Sequence, residues 1–307
     1  MFDLLKGGKT SVKLTLDRPI STDATPAYPY YLGETVHARV TLMSEKEVKI
    51  QEGRVVLVYQ EEYEYKHRRH SRDSHGHPRT TVATSWDTDE REVNREVFLG
   101  ETSIPAGTTK TYEFDLPIPT NAAPSARAEI VHINWLVKAT LDRRMAGDIE
   151  DRIDLPVFAG APGTSVQPGE SGVSNEPDEA DLIFSLPGKE WVMGETIAGR
   201  LRINPKKEFD VTEIRVELVR RERVPRDMGH EHATATPVKL SDGTGLKPGQ
   251  NLTLPFNLVI PSPVPATFST PNSTLDWMLR GVLARRLRKD TIVEQEIFIY
   301  NGRQRRL

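Results

Sequence analysis

The sequence of 307 residues contains no cysteine, which excludes disulfide bonds, thiolate nucleophiles, iron–sulfur clusters and cysteine-based zinc sites. It also lacks a long hydrophobic run, and no stretch approaches the ~18 apolar residues of a membrane-spanning helix. Residues 1–9 contain no apolar core of the kind found in a secretory signal. We therefore expect a soluble, cytoplasmic protein.

The motifs of common enzyme classes are missing as well. Gly7-Gly8-Lys9-Thr10 ends like a phosphate-binding loop, but Asp3 stands where the first glycine is required. Neither the Gly-x-Ser-x-Gly turn of hydrolases nor the His-Glu-x-x-His helix of metalloproteases occurs. We therefore expect a protein that is not an enzyme and binds no cofactor.

The charge is small and unevenly distributed. The net charge is −3, with four more acidic than basic residues in 1–158 and five more basic than acidic in 181–307. Such a mild positive charge does not indicate nucleic-acid binding, and we expect none. Residues 159–180 carry four acids, no base, four glycines and three prolines. This composition predicts a linker between an N-terminal domain, 1–158, and a C-terminal domain, 181–307.

The two predicted domains repeat each other. Residues 32–36, Leu-Gly-Glu-Thr-Val, match residues 193–197, Met-Gly-Glu-Thr-Ile, at a spacing of 161. Later matches have a spacing of 142, and they include Trp135 with Trp277 and Leu141 with Leu283. The first copy is therefore 19 residues longer, somewhere between Tyr63 and Gly107. Matches in this order indicate the duplication of one domain.

Most segments alternate apolar and polar residues, which is typical of half-buried strands. Val36, Ala38, Val40 and Leu42 show the pattern, and glycine- and proline-containing turns separate such segments. Residues 275–289 also fit a helical period, which alone would indicate a basic amphipathic helix, and 133–143 fit either period. We predict strands for both because their surroundings are β, and hence two tandem immunoglobulin-like antiparallel β-sandwiches with Trp135 and Trp277 as core plugs.

Several motifs resemble the arrestin-like superfamily. Besides the Gly-Glu-Thr starts, they include residues 114–119, Phe-Asp-Leu-Pro-Ile-Pro, the pair Asn134-Trp135, and residues 154–157, Asp-Leu-Pro-Val. The beginning of the chain, residues 1–5, is most similar to the bacterial sporulation-control branch. The resemblance implies two arrestin-type sandwiches and a non-enzymatic scaffold or adaptor that binds partner proteins through strand edges and loops.

The most distinctive local feature is a histidine- and arginine-rich segment within the 19-residue excess. Its candidate partner-binding residues are Lys66, His67, Arg68, Arg69, His70, Arg72, His75, His77 and Arg79. The charge suits an anionic partner, and the resemblance implies a mobile loop that contacts partners. A solvated hairpin tip and a metal site using His67, His70, His75 and His77 are the alternatives, although adjacent cations disfavour a metal dication.

A second set of basic residues suggests a different kind of partner. Arg280, Arg285, Arg286, Arg288 and Lys289 could bind an anionic membrane surface, together with Arg303, Arg305 and Arg306 at the end of the chain. The sequence therefore leaves three hypotheses open: a protein-binding scaffold, a peripheral lipid-binding protein, and a metal-binding protein.

Overall fold

The computed structural model describes residues 10–20, 26–72, 75, 77–144, 146–162 and 169–303. These residues form strands and connecting turns, and they contain no helix that could cross a membrane. The strands are β1 (Thr10–Leu16), β2 (Tyr30–Tyr31), β3 (Thr35–Ser44), β4 (Val48–Ile50), β5 (Glu52–Arg72), β6 (Pro78–Leu99), β7 (Thr102–Ile104), β8 (Thr108–Pro117), β9 (Ala126–Arg127), β10 (Val131–Asp142), β11 (Ile149–Leu155), β12 (Val157–Phe158), β13 (Gly160–Ala161), β14 (Gly169–Ser171), β15 (Ala180–Leu186), β16 (Glu190–Val192), β17 (Thr196–Pro205), β18 (Phe209–Val224), β19 (His230–Leu246), β20 (Leu252–Val259), β21 (Phe268–Ser269), β22 (Thr274–Ala284), β23 (Thr291–Tyr300) and β24 (Gly302–Arg303).

The chain divides into two compact units. The first contains residues 1–62, 87–126 and 132–158, and the second contains residues 63–86, 127–131 and 159–307. The far half of the β5–β6 hairpin is thus grouped with the second copy of the repeat. Residues 163–168 lie outside the described part of the chain, and the predicted linker and domain boundaries stay predictions.

Each copy of the repeat is built from two main sheets. In the first copy, β1-β3-β8 forms one sheet and β11-β10-β5-β6 forms the other, with β9 added to β10. In the second copy, β14-β15-β17-β20 and β16-β23-β22-β18-β19 form the two sheets, with β21 added to β22. Three pairs, β4–β7, β12–β2 and β13–β24, complete the described strands. The prediction of an all-β, immunoglobulin-like duplicated fold is confirmed.

The cores are built from the alternation of apolar and polar residues along the strands. In β3, Val36, Ala38, Val40 and Leu42 are buried, while the polar residues between them face outward or lie at the margin. Trp135 on β10 is 1% exposed, and its indole N–H donates to the Ala123 carbonyl at 3.0 Å. A buried indole needs such an acceptor, because an unpaired N–H would cost about 1–3 kcal/mol.

The second copy repeats these hydrogen bonds at the spacing of 142. Trp277 donates to the Pro265 carbonyl at 3.1 Å, as Trp135 does to Ala123. The backbone N–H of Arg285 donates to Asp290 at 2.9 Å, and that of Arg143 donates to Asp148 at 3.3 Å. The duplication is therefore visible in individual polar contacts, and the two tryptophans lie in the core as predicted.

The Gly-Glu-Thr motif has a structural reason in both copies. Gly33 and Gly194 have φ of 88° and 84°, a conformation that favours glycine. Their N–H groups donate to the carbonyls of Ile118 and Ile260, at 3.0 and 3.1 Å. The following glutamate then closes the turn, because its carboxylate accepts the backbone N–H three residues earlier at 2.9 Å in each copy.

The ambiguous segments are strands. β10 covers 131–142, and β22 covers 274–284 and pairs with both β18 and β23. Three of the features noted above lie wholly or partly outside the described residues: the first five residues, Gly7-Gly8-Lys9, and the terminal Arg305 and Arg306.

Candidate partner-binding hairpin

The histidine- and arginine-rich segment lies at the end of the β5–β6 hairpin. β5 and β6 contain 21 and 22 residues, whereas their equivalents β18 and β19 contain 16 and 17. Five further residues per strand extend the hairpin by about 17 Å. Much of the excess length in the first copy is therefore strand, so that residues 66–72 and 78–79 are strand and not the expected loop.

The stem of this hairpin is held by several contacts within the second unit. The N–H of Glu64 donates to the Ile130 carbonyl at 2.9 Å, and the N–H of Met228 donates to the Lys66 carbonyl at 3.3 Å. The Arg226 guanidinium lies 4.1 Å from the centre of the Tyr65 ring and donates to the Tyr63 hydroxyl at 3.1 Å. These contacts fix the backbone up to Lys66 and leave the part beyond it to project.

The projecting part is strongly cationic. Arg68, Arg69, Arg72 and Arg79 are exposed, and none of them forms an ion pair with a carboxylate of a described residue. His70 is exposed, and its Nδ1 lies 3.0 Å from the Thr80 hydroxyl. Because guanidinium groups bind carboxylates and phosphates through paired N–H donors, this end can recognise an anionic group.

The histidines occupy different environments along the hairpin. His67 Nδ1 is buried without a hydrogen-bond partner, and its ring lies 5.4 Å from the Tyr65 ring. His75 and His77 are exposed, with ring centres 6.5 Å apart. Across the described ranges, no group of three or more histidine or carboxylate side chains is placed to hold a metal ion. The described geometry thus gives the metal-binding hypothesis no ligand set.

The basic residues around β22 separate into two kinds. Arg280 is paired with Glu294 at 2.7 Å, and Arg285 is largely buried in an ion pair with Glu179. Arg286, Arg288 and Lys289 are exposed in the turn before β23. Between them stands Leu287, which is 95% exposed and has a φ of 59°. The sequence predicted a strand over residues 275–289, and this prediction is wrong for Leu287, because β22 ends at Ala284.

Two buried glutamates were also missed. Glu61 and Glu222 are 0% exposed and occupy equivalent positions, at the repeat spacing of 161. Glu222 accepts the Ile130 N–H at 2.8 Å, and its other oxygen lies 3.1 Å from Arg220 Nε. The signal was available, because the spacing of 161 that relates residues 32–36 to residues 193–197 also pairs these two glutamates.

A surface depression between β1, β3 and β8 is lined by charged side chains that satisfy one another. His37 lies 2.6 Å from Asp115, and Arg39 lies 2.8 Å from Glu113. His37 is thus an exposed strand residue with a carboxylate partner. His132 also lies beside a carboxylate, 3.6 Å from Glu62. Because its charges are already paired, this depression offers less to an anionic ligand than the hairpin end does.

Two family models match the chain, one in each copy of the repeat. The model of the arrestin (or S-antigen) N-terminal domain matches residues 19–158. The model of the SpoOM protein matches residues 180–286. No curated protein shows a significant match. Domains of the arrestin family are generally non-catalytic. The matched ranges and the duplicated β-sandwich together support an arrestin-like N-terminal region, residues 19–158, and a sporulation-control-like C-terminal region, residues 180–286.

Proposed function

We propose that the protein is a non-enzymatic scaffold that binds an acidic segment of a partner protein with the end of the β5–β6 hairpin. The observation that carries the proposal is the group of exposed arginines, Arg68, Arg69, Arg72 and Arg79, on a stem fixed below them. A fixed stem lowers the entropic cost of binding, because the backbone of the binding element is already ordered.

The charge of the hairpin end defines the partner chemistry. Arginines without carboxylate partners among the described residues keep their N–H donors available for an incoming carboxylate. An extended acidic segment could contact several of them at once, and its binding would weaken as salt screens the charges. The partner is therefore expected to present a run of aspartate or glutamate residues in a solvent-accessible region.

The test is binding of a fluorescent polyglutamate peptide to the full chain, measured by anisotropy at several salt concentrations. We expect the double variant R68E/R69E to weaken binding at least about tenfold, because each charge reversal replaces attraction by repulsion. The matched control is K49E/K110E, which changes two exposed lysines elsewhere and alters the net charge equally. Equal weakening by both pairs, or binding without salt dependence, would contradict a role of the hairpin end.

A second function is supported by the turn between β22 and β23. Leu287 is 95% exposed between Arg286, Arg288 and Lys289, so that an apolar side chain stands among three cations. Such a turn suits an anionic membrane surface, because cations bind headgroups while the apolar side chain enters the interface. Arg280 and Arg285 contribute less to this surface, since both are paired with carboxylates.

Flotation with liposomes separates this function from protein binding. We expect vesicles containing phosphatidylserine to recover the protein and pure phosphatidylcholine vesicles not to. L287S should reduce recovery, whereas V173S, which changes another highly exposed apolar residue, should leave it unchanged. Recovery that is independent of anionic lipid would remove the membrane hypothesis and leave the scaffold proposal untouched.

A further inference from the structure

Strand β6 has an edge of unusual composition. It is the last strand of its sheet in the described topology, with β5 as its neighbour. Residues 80–86, Thr-Thr-Val-Ala-Thr-Ser-Trp, contain no charge, no proline and no glycine. Val82 and Trp86 on this stretch are 58% and 47% exposed. An uncharged, β-branched edge of seven residues offers backbone groups to another strand.

The equivalent edge in the second copy is guarded. β19 corresponds to β6, and it contains Pro237 opposite Glu217 and the charged Lys239 opposite Arg215. The pairing of β18 with β19 also shifts register between Ile214 and Arg215. Proline, lysine and irregular register are features that protect edge strands from added strands. Residues 80–86 lie in the part of β6 that exceeds the length of β19, and they contain neither proline nor lysine. An edge without these protections can accept an added strand as its occupant.

We propose that this occupant is a second copy of the chain, paired antiparallel with residues 80–86 about a two-fold axis at Ala83. The argument is charge complementarity. With Ala83 opposite itself, each residue faces the residue of the second copy that lies at the same distance from Ala83 on its other side. The resulting pairs within β6 include Val82 with Thr84, Thr81 with Ser85, Thr80 with Trp86, and Arg79 with Asp87.

This register places opposite charges at both ends of an uncharged centre. Arg79 meets Asp87 twice, because the symmetry repeats every contact. Moving the axis to Thr84 would place Arg79 opposite Asp89, whose carboxylate already forms an ion pair with Arg91, and moving it to Ser85 would place Arg79 opposite Arg91. Opposite-charge pairs across strands stabilise pairing, and like charges directly opposite destabilise it. The charges therefore favour the register with its axis at Ala83.

The proposal is tested first by sedimentation of the full chain over a range of concentrations. We expect a monomer–dimer equilibrium. The variants R79D and D87R should each weaken dimerisation at least about tenfold, because each creates like-charge pairs across the axis. An equimolar mixture of the two variants should restore association, because R79D then faces D87R. Failure of the mixture to associate would overturn the proposed register.

A second test uses the absence of cysteine from the sequence, because a single introduced cysteine can form a disulfide bond only with the same cysteine of another copy. A83C should form a covalent dimer under mild oxidation, since directly opposite Cα atoms lie about 4.5–5.5 Å apart in antiparallel strands. V97C, an exposed position further along β6, should remain monomeric under the same conditions. Equal cross-linking of both variants would contradict a dyad at Ala83.

A third test introduces two lysines on the edge of β6. It shows whether the dimer forms through this edge, and it separates dimerisation from binding of an acidic partner. V82K/T84K places lysines opposite each other in the second copy, and we expect a monomer that still binds polyglutamate. The matched control T234K/T236K changes the guarded edge on β19 and should leave dimerisation unchanged. A chain that stays monomeric at every concentration, or a dimer that persists in V82K/T84K, would overturn the proposal.

Discussion

Glu222 shows how a single buried carboxylate can fix a neighbouring segment. Its side chain is 0% exposed and accepts the backbone N–H of Ile130, which lies 92 positions earlier in the chain. The nearby guanidinium of Arg220 supplies the opposite charge. A carboxylate at this depth is tolerated only with such partners, because an unpaired buried charge is strongly destabilising. Its loss should therefore destabilise the second unit.

We expect E222L to lower the free energy of unfolding by about 2–4 kcal/mol, because the Ile130 N–H loses its acceptor and the Arg220 guanidinium loses its ion-pair partner. E222Q keeps an oxygen for the N–H and should cost less, about 1 kcal/mol. Urea denaturation of the full chain measures both, with E231Q at an exposed position as the control. A smaller loss in E222L than in E222Q would mean that the buried partners are not the cause.

The buried Tyr59 should make the stability of the fold sensitive to alkaline pH. Burial raises the pKa of Tyr59 well above its ordinary value, and the charge of Glu61 and a hydrogen bond to it, at 3.4 Å, add to the effect. A raised pKa favours the folded state below the unfolded value of about 10, and this stabilisation is lost as the pH rises toward the folded value. The denaturation midpoint should fall between pH 8 and pH 11, and by less in Y59F. Parallel losses in both proteins would exclude Tyr59 as the source.

At the scale of the element, the Gly-Glu-Thr turns allow a comparison between two equivalent positions. Both glycines have positive φ, so alanine is strained at either, by about 1 kcal/mol. A Cβ on Gly33 would also lie 2.9 Å from Thr120 Cγ2, whereas a Cβ on Gly194 would meet Ser262 at an ordinary 3.7 Å. G33A should therefore lower the denaturation midpoint more than G194A. G100A, which meets nothing within 4 Å and lacks a positive φ, is the control.

The strands show which features the sequence could predict. Alternation and the repeat predict β3, β10 and β22, even though residues 275–289 also fit a helical period, because pairing with β18 and β23 outweighs local preference. The extension of β5 to Arg72 was not predicted, since charge-rich residues resemble a loop when cross-strand pairing is invisible. The open edge of β6 needed the sheet order, which depends on contacts between distant residues.

At the scale of the whole molecule, the hairpin end should be separable from the folded units. Residues 69–81 are half-exposed or exposed where described, and the contacts between Ser71 and Arg79 and between His70 and Thr80 define their pairing. Replacing 69–81 with Asn-Gly, a favoured hairpin turn, should change the unfolding free energy by less than about 0.5 kcal/mol. The same variant should lose polyglutamate binding, measured by anisotropy. A large loss of stability would show that the hairpin end supports the fold.

The two buried tryptophans give each copy of the repeat its own optical signal. Trp135 is 1% and Trp277 is 4% exposed, and each indole N–H is bonded to a carbonyl, whereas Trp86 is 47% exposed. Fluorescence from the buried pair should therefore shift to longer wavelength when its surroundings open to water. In a chain whose Trp86 and Trp191 are replaced by phenylalanine, the same change at either buried tryptophan leaves one emitter, in the other copy. The duplication thus supplies a matched pair of internal fluorophores, with which the order of unfolding of the two copies can be followed in one intact chain.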